Sequence, residues 1–283
     1  MSDHAPRAPG KRDLGKTVIH AVAFMLVLSY ALPYVYLLST ALKPAADVQQ
    51  IPPSFFPDRV SFENFSAVIG AAALPQAFLN SVIVAVLTVL LSLLIAVPAA
   101  YVAALYRSRI TILFLLFALI TRMVPAVSLG VPLFQIMKML GLLDTRIGLV
   151  LAHTSAAVPL ALLLMAAFFE GVPKELEEAA RIDGCSRFGA FRHIVLPLMP
   201  GGLAITALFS FIASWNEFLF ALLLTSQNSK TVPIVIAEFN SVYGLAWGPM
   251  TAAAVLYSLP VILVTLMLQK QIVGGLTFGA VKG

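Results

Sequence analysis

The chain has 283 residues, of which 60% are hydrophobic and only 11% charged, and its formal net charge is +5. Water-soluble domains carry about a quarter charged residues, so this composition excludes an ordinary soluble fold and points to the bilayer as solvent. The basic excess does not indicate nucleic acid, because the lysines and arginines sit at the ends of apolar stretches, and the single cysteine, Cys185, excludes an internal disulfide or a CxxC zinc site.

In chain order, residues 1–16 form a basic N-terminal segment. The apolar stretch at 18–42 is longer than the ~7–15-residue core of a signal peptide, and we expect it to remain as an anchor. Further apolar stretches follow at 78–106, 110–137, 147–169, 201–225 and 250–269. About 20 helical residues cross a ~30 Å hydrocarbon core, so each suffices. Each must be helical, because unpaired backbone groups are costly in lipid. The expectation is an all-α membrane protein with six transmembrane helices in a domain spanning 17–283. Pro33, Pro98, Pro125, Pro132, Pro159 and Pro260 lie inside the stretches. Kinks there are tolerable where neighbouring helices or water satisfy the freed carbonyls.

Six spans put both termini on one side. With the N-terminus inside, twelve lysines and arginines fall on inner segments and five on outer ones, while Arg122 lies within a span. This bias predicts that both termini and the insert at 172–197 are cytoplasmic. The outer loop 43–76 contains "IPPSFFPDRVSFENF", and a second outer loop at 226–249 ends in "YGLAWGP". Their prolines and aromatics fit an ordered cap, either anchored at the interface or presented to an external partner.

The insert reads "GVPKELEEAARIDGCSRFGAFRHIVLP". Pro173 suits a first helical turn, and Glu175, Glu177 and Glu178 favour its positive end. Gly184 can take the left-handed conformation that ends a helix. Ser186 can cap a second short helix, in which Phe188, Phe191 and Val195 form an apolar stripe and Arg187 and Arg192 point elsewhere. Pro197 and Pro200 stop that helix. The result is a helix–turn–helix too short and too charged to cross the membrane. Ala179 and Ala180 beside Glu178 would let a foreign backbone approach, and the acid offers a partner arginine a charge-assisted bond.

Three ionisable residues lie within spans: Arg122, His153 and Glu217. Such groups usually face the bundle interior or a cavity. Counting helix rise from the inner ends, Arg122 is about 18 Å deep and Glu217 about 24 Å. These depths allow them to pair, or both to line a substrate cavity. His153 is expected to anchor at the outer interface rather than relay protons. Asn216 and Glu217 could serve sugar hydroxyls and Trp215 a stacking face, or the same run could hold a helix interface. The small residues "GGLAIT" suit close helix packing, and Met123 and Met137 read as packing.

The spacing Glu178-Ala179-Ala180, three residues, Gly184, nine residues, then Ile194-Val195-Leu196-Pro197 resembles the "EAA" signature of binding-protein-dependent ABC importer permeases. The runs "SWNEF" at 214–218, "WGP" at 247–249 and the tail "QKQIVGGLTFGAVKG" are similar to the carbohydrate subgroup. The resemblance implies a type I ABC importer permease fold. It makes 172–197 a coupling helix docked on an ATP-binding subunit through Glu178, Ala179, Ala180, Asp183 and Gly184, with Lys282 and Gly283 of the tail 270–283 as further contacts. It implies as partners an ATPase dimer carrying Mg-ATP, a second and usually different permease, and an extracytoplasmic solute-binding protein. The residues agree that nucleotide is held elsewhere, since no G-x-x-x-x-G-K-[ST] run exists. An ion-coupled secondary transporter is the alternative and predicts inverted repeats with several midplane acids; Glu217 is the one deep acid. A membrane enzyme would need a catalytic constellation, and neither HExxH nor G-x-S-x-G occurs.

Overall fold

The computed structural model describes residues 11–106, 108–241 and 244–278, with side chains between 15 and 271 apart from 107 and 241–245. Almost all of this is helical. The helices are α1 (Lys11–Ala41), α2 (Glu63–Gly70), α3 (Ala73–Leu105), α4 (Arg109–Met123), α5 (Ala126–Met139), α6 (Arg146–Glu170), α7 (Lys174–Ile182), α8 (Arg187–Ala190), α9 (Pro200–Trp215), α10 (Leu219–Leu224), α11 (Val232–Glu238) and α12 (Trp247–Phe278). A π-helical turn at Phe191–Val195 and a 3-10 turn at Leu196–Leu198 continue α8, and Asn240–Ser241 and Gly244–Leu245 are extended. Among the described residues four helices are long and apolar enough to cross a membrane, and two bent pairs bring the total to as many as six.

The chain divides into two compact units, Met1–Gly70 with Ser241–Leu256, and Ala71–Asn240 with Tyr257–Gly283. In the first unit, α1 is an apolar rod whose side chains from Gly15 to Tyr30 are all exposed. Its C-terminal end is tied down. Asn64 of α2 is buried and donates to the carbonyls of Ala41 (3.0 Å) and Lys43 (2.8 Å). Lys43 is itself buried, with Nζ 2.6 Å from the Ser54 carbonyl and 5.7 Å from the Tyr36 ring centroid. Phe55 packs on Tyr36 and Phe56, and its carbonyl accepts from Ser39. The proline- and aromatic-rich loop is therefore built around buried polar anchors, each with a partner, as buried polar groups require.

The second unit is built on α3, α6 and α9. Ala96, Ala100, Ala104, Ala161 and Ala166 form much of the α3–α6 core, and such small residues let helices approach where no hydrophobic driving force between them exists. Gly202 of α9 lies so close to Phe168 that an added Cβ would sit 2.8 Å from its ring, which explains a glycine at this position. Pro33, Pro98, Pro132, Pro159 and Pro260 are all accommodated inside helices.

Two apolar stretches are broken rather than continuous helices. The 110–137 stretch is bent by 98° between α4 and α5. Pro125 removes an N–H and forces Val124 out of the helical region (ψ 123°). The 201–225 stretch breaks at residues 216–218, between α9 and α10. At its other end α9 meets the 187–198 segment at a 79° bend.

Candidate functional site

The insert forms an elbow with two different faces. Pro173 precedes α7, and Gly184 ends it at φ +90°, a conformation that side-chain-bearing residues rarely adopt. Ser186 accepts from the Gly189 N–H (3.0 Å) and starts α8. One face is anchored. Glu177 is buried and faces the Tyr101 hydroxyl of α3 without a full hydrogen bond. Tyr101 also packs on Phe191 (4.6 Å between centroids) and Phe169 (5.7 Å), with Val195, Ala180 and Ala190 buried alongside. The Arg187 guanidinium lies 5.2 Å above the Tyr106 ring.

The other face is open. Glu178, Ala179, Asp183, Gly184 and Cys185 are exposed, with Ile182 86% and Phe188 68% accessible. A carboxylate, a small residue and two large apolar side chains therefore stand together at one end of the unit. The expected grouping is corrected in two respects. Ala180 faces inward, leaving Ala179 as the exposed alanine, and Phe188 stays exposed although its ring lies 6.3 Å from that of Phe191, while Val195 is buried. The anchoring role of Glu177 was not foreseen, although an acid in a helical pattern opposite an exposed one was visible. Lys282 and Gly283 lie outside the described residues.

The polar residues at membrane depth arrange themselves differently from the pairing expected. Glu217 does not meet Arg122. Its carboxylate accepts from the N–H groups of Phe220 (2.8 Å) and Ala221 (3.0 Å), capping α10, and Oε2 lies 3.2 Å from Nε2 of His153. His153 is buried rather than interfacial, and its Nδ1 is 2.8 Å from Ser214 Oγ. Arg122 is exposed and donates to the Ala156 carbonyl at 3.2 Å. Depth along a helix does not fix which way a side chain faces: Glu217 turns to α10 and His153, and Arg122 to the Ala156 carbonyl. Trp215 is 1% exposed, with one face stacked on Phe211 and the other on Tyr257 at 5.4 Å each, so neither face is open to a sugar. The Tyr257 hydroxyl donates to the Trp215 carbonyl and contacts Asn216 Oδ1, both at 2.8 Å, and Asn216 is exposed.

At the opposite end of α6, a third cluster surrounds Asp144, which has φ +54°. Its carboxylate accepts from the N–H groups of Ser226, Gln227, Asn228 and Ser229 and from three of their side chains. Partial burial works against its charge, but the backbone donors of Asn228, Ser226, Ser229 and Gln227 prevail and hold the carboxyl well below the usual range. Nearby, Asn80 donates to the carbonyls of Asn228 (3.0 Å) and Lys230 (2.9 Å) and accepts from Arg146 (2.8 Å). Among the described residues no group of three or more His, Cys, Asp or Glu could hold a metal.

Comparison with known proteins places this geometry in context. Residues 92–275 match the model of the binding-protein-dependent transport system inner membrane component. The diacetylchitobiose uptake system permease protein DasC of Streptomyces coelicolor is 34% identical, over 96% of this chain and 100% of its own. The trehalose transport system permease protein SugB of Mycobacterium tuberculosis is 36% identical, over 93% of this chain and 97% of its own. A crystal structure of a bacterial ABC transporter involved in import of the acidic polysaccharide alginate contains a chain that superposes with a TM-score of 0.76 at 25% identity, covering 95% of this chain and 100% of that one.

Proposed function

We infer that this chain, which belongs to the family of binding-protein-dependent transport system inner membrane components, is a permease subunit of an ATP-driven importer for a sugar, glycoside or polyol. It is a multi-pass protein of the inner membrane and a transport component rather than a catalytic subunit. Relatives named for trehalose, diacetylchitobiose and trehalose/maltose transport support the carbohydrate class over an ion-coupled carrier. The family's dependence on a binding protein, and an alginate transporter of like fold in complex with a periplasmic protein, support delivery of the solute by such a protein.

The finer reading rests on the elbow. An exposed Glu178 beside Ala179, Ile182 and Phe188, on a helix anchored behind through Glu177 and Tyr101, suits a handle gripped by a separate ATP-binding subunit. Mg-ATP is then bound and hydrolysed in that subunit's dimer. Both termini and the elbow lie in the cytoplasm in this reading, and a second permease subunit completes the pore. Closure of the ATPase dimer moves the elbow, and α9, which follows it directly, carries the motion into the membrane as alternating access.

The test is replacement of Glu178 and Gly184 together in the reconstituted complex. Insertion and assembly are expected to survive while uptake per ATP hydrolysed falls at least ~10-fold, a loss of about 1.4 kcal/mol or more of coupling. Unchanged uptake would refute the handle.

A further inference from the structure

The unwound segment at 216–218 interrupts the helical path that begins at the elbow. A break at membrane depth frees the last carbonyls of α9 and the first N–H groups of α10, which lipid cannot satisfy. Two neighbouring helices meet it. From α12, Tyr257 donates to the Trp215 carbonyl at 2.8 Å. From α6, His153 touches both sides of the break. Its Nδ1 is on Ser214, in the last turn of α9, and its Nε2 faces Glu217, whose two oxygens cap α10.

One tautomer accounts for both contacts. With the proton on Nε2, the ring faces the Glu217 carboxylate with an N–H, and Nδ1 accepts from the Ser214 hydroxyl. The approach to Glu217 is too bent for a full hydrogen bond, so this link is electrostatic and slack, whereas the Ser214 link is short. The imidazole is thus fixed to α9 and loosely tied to α10.

We propose that His153 is a positioning residue for transport: it fixes the end of α9 to α6 and sets the angle at which α10 follows, so that movement of the elbow reaches the far end of the unit rather than being absorbed at the break. Beyond α10 the chain runs into the 226–229 loop gripped by Asp144, so α10 is held at its other end as well. A freely flexing break would leave the two ends uncorrelated.

This rests on the importer reading, and the experiment separates the two. The complete transporter, with its ATP-binding subunits, second permease and binding protein, is reconstituted in liposomes, and uptake per ATP hydrolysed is measured. H153N keeps a group at the Nδ1 position and loses the Glu217 contact, while H153Q keeps a donor near the Nε2 position. We expect H153N to raise ATP hydrolysis in the absence of solute and to lower uptake per ATP by at least 5-fold, with H153Q recovering at least half. A merely structural role would reduce yield and melting temperature in both variants and leave the ratio unmoved. S214A, which disturbs packing less, is expected to lower the ratio 2- to 3-fold and provides the reading if H153N does not assemble. A wild-type ratio in H153N, or in S214A where H153N does not assemble, overturns the proposal alone. Absence of ATP-driven uptake in the wild-type complex overturns the importer reading and this proposal with it.

Discussion

Glu178 in the elbow and Asp144 at the other end of α6 are both carboxylates on short connecting segments, yet the chain treats them in opposite ways. Asp144 is saturated by its own chain, with four backbone N–H groups and three side chains converging on its two oxygens. Glu178 is exposed beside apolar side chains that are also exposed. A charge satisfied internally holds a loop in shape. A charge left open next to a small residue and large apolar ones leaves its partner to another molecule. Glu177 and Glu178 repeat this contrast between adjacent residues, one turned in to Tyr101 and the other out.

The contrast is broken most severely at Asp144. Replacement by alanine leaves several N–H donors without an acceptor. Buried hydrogen bonds to a charged group contribute about 1.5–3 kcal/mol each. Because the site is only partly shielded and water replaces part of the loss, we expect the D144A variant to lose about 2 kcal/mol, read as a lower thermal midpoint in detergent. The same site predicts the acid response. Its folded carboxyl lies below the ordinary 3.8, so its contribution is complete above that value and is lost as pH falls through the lowered one. Between neutrality and about pH 4 this loop should not loosen, and hydrogen exchange at 226–229 measures it.

A smaller effect is expected at Tyr101. The Y101F variant removes the hydroxyl that faces buried Glu177, and because that hydroxyl makes no full hydrogen bond the cost should stay below about 1 kcal/mol. Circular dichroism melting of the purified chain checks this, and uptake per ATP should fall less than in a Glu178 variant. The least effect on folding is expected from E178A itself. Exposed positions usually change stability by less than about 0.5 kcal/mol, so a large drop in melting temperature would show that Glu178 also has an internal role.

Much of this architecture was legible in the chain. Six apolar stretches, Pro173 before α7, Gly184 at its end and Ser186 at the next start all follow from local chemistry. The breaks were not legible, because hydropathy reports what lipid tolerates and not whether a helix is straight. Pro125 was visible as a kink, but only packing sets its angle at 98°. Depth alone matched Arg122 with Glu217, but it says nothing of which way a side chain faces: Glu217 serves the backbone of α10 and the buried side chain beside it is His153. An acid two residues before "LFALLL" is a capping signal that an apolar context hides. The Asp144 cluster depends on loops some 80 residues apart, a separation over which periodicity carries no information.

The divergence of Glu177 and Glu178 also fixes the phase of α7 against the membrane. Deleting one residue ahead of this pair would rotate the helix by about 100°, bringing Glu178 under Tyr101 and carrying Ala180 toward the outside. A change of length just before Glu177 therefore swaps the inward and outward faces of α7, and an insertion there should jam the transporter.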